Sequence, residues 1–191
     1  MANYNYRAQM IPVGYMAKNV ALRPAWLKAD PVVDVYSVSN CISDDFAEYI
    51  NYWKHNGYWL FDSPETIREI AKEHSLDITN TKVFYYEVYE LEYEGDEKSW
   101  GPFSPEASFS TKILQPEAKT LEGYDVVTFY CHTSPECSPL SCNSLASEIE
   151  TNEHCLLPSL EKAKELLEGR KFENSEPGPY RIFAVYSVQW P

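Results

Sequence analysis

The sequence predicts an α+β domain with a mainly antiparallel sheet and helices packed on one face. Three observations predict it. Strand-like and helix-like stretches are grouped rather than alternating one for one; two such groups follow each other in similar order; and each closes on a long aromatic and β-branched stretch.

In the first group, Val32 to Val38 is β-branched and apolar and reads as a strand. Ser43 then precedes a helical face of Phe46, Ala47, Ile50 and Trp53. The turn dipeptide Asn56-Gly57 introduces a short strand, Tyr58 to Phe61. Ser63 followed by Pro64 marks a helix start, because a serine oxygen accepts from an orphan amide and a proline at the first helical position has no amide to lose. Ile67, Ile70 and Ala71 supply the buried stripe of that helix, and Val83 to Tyr93 is the closing strand. The second group has Tyr124 to Tyr130 as a strand, Leu145, Ala146 and Ile149 as a short helical face, and Cys155 to Leu157 as the short strand. Ser159 caps a helix that turns Leu160, Ala163, Leu166 and Leu167 inward and stops at Gly169, and Tyr180 to Val188 closes the group.

The apparent equivalents Asp34 and Asp125, Ser63 and Ser159, and Val88 and Val185 lie 91, 96 and 97 residues apart. Two similar β-β-α-β halves are therefore expected, their spacing drifting through loop insertions. This divides the chain into an N-terminal extension, 1–31, with one strand around Ala8 to Ile11 before a turn at Pro12 to Gly14; a first half, 32–93; a linker or excursion, 94–123; and a second half, 124–191.

The 191 residues carry 16 Lys and Arg against 29 Asp and Glu, a formal charge of −13. Such a surface repels a polyanion, which excludes phosphate neutralisation as the default mode of binding and argues against direct nucleic-acid contact. It attracts a partner protein with a basic surface. With 44% hydrophobic and 24% charged residues the chain is expected to fold rather than behave as an acidic tail. No apolar run is long enough to span a bilayer, and Met1 to Arg7 lacks the basic and apolar regions of a signal peptide. A cytoplasmic protein without a membrane partner is expected, its five cysteines thiols or ligands rather than disulfides.

Cys131, His132, Cys137, Cys142, His154 and Cys155 fall within 25 residues and form the candidate metal set, since zinc takes three or four converging sulfur or imidazole ligands. No two of the cysteines stand two to four residues apart, the spacing of a zinc knuckle. The expectation is reduced cysteines in a small core and no cofactor, with zinc on these six residues as the alternative. The adjacent pairs Cys131-His132 and His154-Cys155 make poor nucleophile–base dyads, because strand neighbours point to opposite faces. A Gly-rich phosphate loop, a G-x-S-x-G elbow and an H-E-x-x-H helix are all missing, so no well-signalled enzyme class applies.

The chain holds 15 Tyr, 8 Phe and 5 Trp. Most of those in Val83 to Tyr93 read as the core and edge of an aromatic-rich sheet. The functional alternative makes Tyr89, Glu90 and Tyr93 a Glu-rimmed partner surface, joined by Trp53 and Trp59 of a second aromatic cluster. His55 beside them reads as a solvated helix-terminal histidine. The function expected on these grounds is a non-enzymatic protein-binding module or inhibitor, with mimicry of nucleic acid in phage or bacterial conflict as a variant. The alternative is an enzyme or metal-binding module whose site lies in 131–155 between the two halves.

Overall fold

The computed structural model describes residues 9–46, 56–103, 112–130 and 135–191. Trp53, His55, Cys131 and His132, with most of the helical face expected after Ser43, lie outside these. The chain begins with β1 (Met10–Asn19), the short strands β2 (Ala21–Leu22), β3 (Asp34–Val35) and β4 (Asp44–Asp45), and helix α1 (Pro64–Glu73). Strands β5 (Lys82–Tyr89), β6 (Leu91–Glu94), β7 (Ser99–Pro102) and β8 (Thr120–Thr128) follow. A one-turn helix α2 (Pro139–Cys142), a 3₁₀ turn at Leu145–Ser147, helix α3 (Leu160–Glu168) and β9 (Tyr180–Val188) complete it.

The result is an α+β fold on a seven-stranded sheet in the order β4-β1-β5-β9-β6-β7, with β8 also paired to β9; β2 and β3 form a separate ladder. Every strand pairing among the described residues is antiparallel. The centre is β5 against β9, and both are largely apolar: Tyr86 pairs with Val185 and Val88 with Phe183, and these four, with Phe84, Tyr85 and Ala184, have no exposed surface. Strands covered on both faces require such runs. On β8 the alternation is explicit, Val126 entering one apolar cluster with α3 and Val127 the other with α1.

One local arrangement occurs twice. Tyr15 of β1 exchanges backbone hydrogen bonds with Phe61 (2.8 and 2.9 Å), and Tyr124 of β8 does so with Leu157 (2.9 and 2.8 Å). Each tyrosine follows a bulged glycine with positive φ, Gly14 (+128°) and Gly123 (+149°). The Asn56 amide donates to Val13 O and accepts from the amides of Tyr58 and Leu60. Asn152 does the same with Glu122 O, His154 and Leu156. Helices α1 and α3 then start on Ser63 and Ser159, whose oxygens accept from Thr66 N and Lys162 N. Gly14 pairs with Tyr86, Gly123 with Val185, and Tyr86 with Val185, so a local twofold passes between β5 and β9.

Several expectations are corrected. Pro12 to Gly14 is a bulge inside β1, not a turn, because the strand is held against β5 on both sides of it. Of Val32 to Val38 only Asp34–Val35 is a strand. Ser43 caps no helix: its oxygen donates to Val35 O (2.5 Å) and accepts from Ala21 N (3.0 Å), and Asp44–Asp45 continue onto β1. The stretch Val83 to Tyr93 breaks at Glu90, and the excursion after it contains the β6–β7 hairpin.

Candidate functional site

Residues 36–43 form a loop fastened to the sheet from two sides. Lys18 of β1 is fully buried beneath it and donates to Ser39 O (2.9 Å) and Ser43 O (3.3 Å), with its ammonium 2.7 Å from Asp45 Oδ1. From β8, the buried Asp125 carboxylate accepts from Val38 N (2.8 Å) and Ser138 Oγ (2.6 Å), and Ser138 Oγ accepts in turn from Ser39 N (3.2 Å). Burying polar and charged groups is costly unless each is answered by a partner, and here the Lys18 ammonium and the Asp125 carboxyl both hold loop backbone. Cys41 stands at the outer end of this loop.

Opposite it, Thr128 N donates to Cys137 O (2.9 Å), folding the chain back beside the end of β8. Ser138 and Pro139 then open α2, which carries Cys142 in its last position. The outcome is a convergence of three sulfurs: Sγ of Cys41, Cys137 and Cys142 all lie within 4.8 Å of one another. Cys41 is exposed, Cys142 half-buried and Cys137 buried. Cys41 Sγ donates to Glu136 O (3.2 Å), Cys137 Sγ donates to Asn143 Oδ1 (3.4 Å), and Cys142 Sγ lies 3.7 Å from Ser39 Oγ. The three thiols border a cavity of about 380 Å³ that Thr128, Tyr130, Glu136, Asn143, Glu176 and Pro177 also line.

Proton affinity is unequal across the cluster. Hydrogen bonds from Cys137 and Cys142 pull the Cys41 thiol well below its usual range, and they outweigh its burial; Ser39 and the Lys18 charge act in the same direction. The Cys142 and Cys41 sulfurs beside it, and then its burial, drive the Cys137 thiol far up. At Cys142 the hydrogen bond from Cys137 favours the thiolate, but its own donation to Cys41, its burial and the Cys41 charge leave it raised. Cys41, the exposed sulfur, is therefore the most acidic of the three thiols.

The remaining candidates lie elsewhere. Cys155 is buried with φ +63°, its thiol pushed up to about 12 by burial and then by the charges of Asp125 and Cys142. His154 stacks on Tyr36 (3.9 Å between centroids) with Nδ1 2.5 Å from Asp34 Oδ1. Cys137 and Cys142 therefore come together with Cys41, which the sequence reading left out, and without His154 or Cys155. Cys41 is 96 residues from Cys137, beyond any spacing rule. The available signal was its setting, a Ser37 to Asp45 run of Ser, Asn and Asp that folds into turns.

The aromatic surface is also corrected. Tyr89 and Tyr93 are each only 4% exposed, packed 5.4 and 5.1 Å from the Trp100 ring, and Lys164 covers Tyr89 while donating to its hydroxyl. Glu90 Oε1 accepts from Gln9 N (3.0 Å), and Trp59 is a half-buried residue with φ +58°. No protein-family model, curated protein or solved structure matches the chain.

Three thiolates suit a soft or borderline ion such as zinc, leaving the fourth tetrahedral position open. Sulfurs bonded at about 2.3 Å to one zinc stand about 3.8 Å apart, so separations within 4.8 Å require at most a small closure.

Proposed function

We propose that the protein is a metal-binding module that holds a thiophilic divalent ion, zinc foremost, on Cys41, Cys137 and Cys142. The observation that carries this reading is the convergence of three sulfurs, from two chain segments 96 residues apart, within 4.8 Å of one another. Apolar packing does not account for the cluster, because its surroundings are Ser39, the Glu136 carbonyl and the Asn143 amide. Three thiolates around a divalent cation leave one net negative charge, and the buried Lys18 that anchors the same loop lowers its cost. A water or a partner's side chain entering the cavity that the three thiols border would complete the shell of a bound ion. Thiols in this state belong to a reducing compartment such as the cytoplasm.

The net charge of −13 also supports a basic protein partner, but Tyr89 and Tyr93 are interior and do not mark where it would bind. Titration of the reduced protein with cadmium or cobalt tests the metal reading. A sulfur-to-metal charge-transfer band saturating at one equivalent, lost in Cys41→Ser and in Cys142→Ser, is the expected result. A reduced, folded protein that yields no such band refutes it.

A further inference from the structure

We propose that the three-thiol cluster is also an oxidant-responsive switch, in which a hydroperoxide joins Cys41 to Cys142 and dismantles the metal site. The disulfide step rests on the cluster geometry alone; the loss of metal rests on the zinc reading above.

Cys41 is the exposed sulfur of the three and borders a cavity of about 380 Å³, ample for a small peroxide. It sits on a loop held by polar contacts, so it can approach a neighbour without opening the apolar core. A disulfide needs its sulfurs about 2.05 Å apart. Starting from within 4.8 Å, the closure is under 3 Å and can be shared between the Cys41 loop and the end of α2. Of its two partners within the cluster, Cys137 is buried at 7% exposure and directs its proton to Asn143 Oδ1. Cys142 is half-buried, closes a one-turn helix and has Ser39 Oγ beside its sulfur. Cys142 is the partner the geometry selects.

The chemistry balances with the peroxide as the two-electron oxidant. The Cys41 thiolate attacks the peroxide, its sulfur gains one oxygen as a sulfenic acid, the O–O bond breaks, and hydroxide leaves. Cys142 sulfur then attacks the sulfenic sulfur, the S–O bond breaks, and the Cys142 proton leaves with the hydroxyl as water. The proton that the Cys41 thiol released on ionising joins the departing hydroxide, so two thiols and one hydrogen peroxide give one disulfide and two waters. Only Cys137 then remains of the three ligands, too few to retain zinc.

The experiment treats reduced, metal-free protein with one equivalent of hydrogen peroxide and maps the products by peptide mass spectrometry. A Cys41–Cys142 cross-linked peptide is expected, persisting in Cys137→Ser. In Cys142→Ser, a Cys41 sulfenic acid trapped by dimedone replaces it. A parallel sample loaded with zinc should release one zinc per disulfide to a metallochromic dye. Unreacted thiols, or a disulfide to Cys137 or Cys155, overturn the proposal. If the metal-free protein forms the predicted disulfide but never takes up zinc, the zinc reading fails and the switch stands. If zinc binds but no disulfide forms, the switch fails and the zinc reading stands.

Discussion

Asp125→Asn separates two opposite consequences of burying a carboxylate. Burial pushes the Asp125 carboxyl up to about 7; hydrogen bonds from Ser138 and Val38 oppose the rise, the Cys142 charge adds to it, and Lys18 lessens it. In the unfolded chain the same group titrates near 3.8. Between those values the folded protein holds a proton that the unfolded chain has released. The Asp125 contribution is therefore intact below pH ~4 and is lost as pH rises to ~7. At about 1.4 kcal/mol per pH unit, the loss approaches ~4 kcal/mol. An asparagine offers a carbonyl oxygen to Val38 N and Ser138 Oγ, as the neutral acid does, and carries no charge at any pH. Urea unfolding of both proteins from pH 4 to pH 8, reduced and metal-free, should give equal stabilities at the acid end. The variant should be the more stable by a few kcal/mol at pH 8. A variant less stable than the parent at pH 8 would show that Lys18 and the two donors keep the carboxylate ionised, and the desolvation argument would fail.

Lys18→Met removes the buried cation from Asp45 and from two loop carbonyls; a cost of about 3–5 kcal/mol in chemical denaturation is expected, with weaker cadmium binding, and a neutral result would mean the loop is held by Asp125 alone. Gly14→Ala and Gly123→Ala place a Cβ 2.5 Å from Phe61 O and 2.7 Å from Leu156 Cβ at positive φ, so each should lower stability by about 1–3 kcal/mol or more. Wild-type melting of either variant would contradict the bulge geometry. Ser63→Ala and Ser159→Ala should each cost about 0.5–2 kcal/mol, because each leaves one first-turn amide, Thr66 N or Lys162 N, without its acceptor. A melting temperature unchanged in either variant would contradict the capping role of that serine.

The sequence by itself determined the elements whose signals are local. Ser63-Pro64 and Ser159 begin helices because capping needs only a neighbouring amide, and Tyr180 to Val188 is a strand over its whole length because an apolar run interrupted only by Arg181 and Ser187 suits a strand covered on both faces. Tertiary structure decided what depends on distant partners. Ser43, a helix cap by its local pattern, is claimed by Val35 O and Ala21 N, and the polar run after Val35 becomes a loop because Lys18 and Asp125 supply buried hydrogen bonds to its backbone. Tyr89 and Tyr93 are enclosed because Trp100 returns across them on β7. The thiol cluster divides along the same line. Cys137 and Cys142 are near neighbours in the chain, whereas Cys41 reaches them only because β1 and β8 fasten its loop beside α2. A spacing pattern records turns and helix faces. It carries no information about which side chain a buried lysine 23 residues away will hold in place.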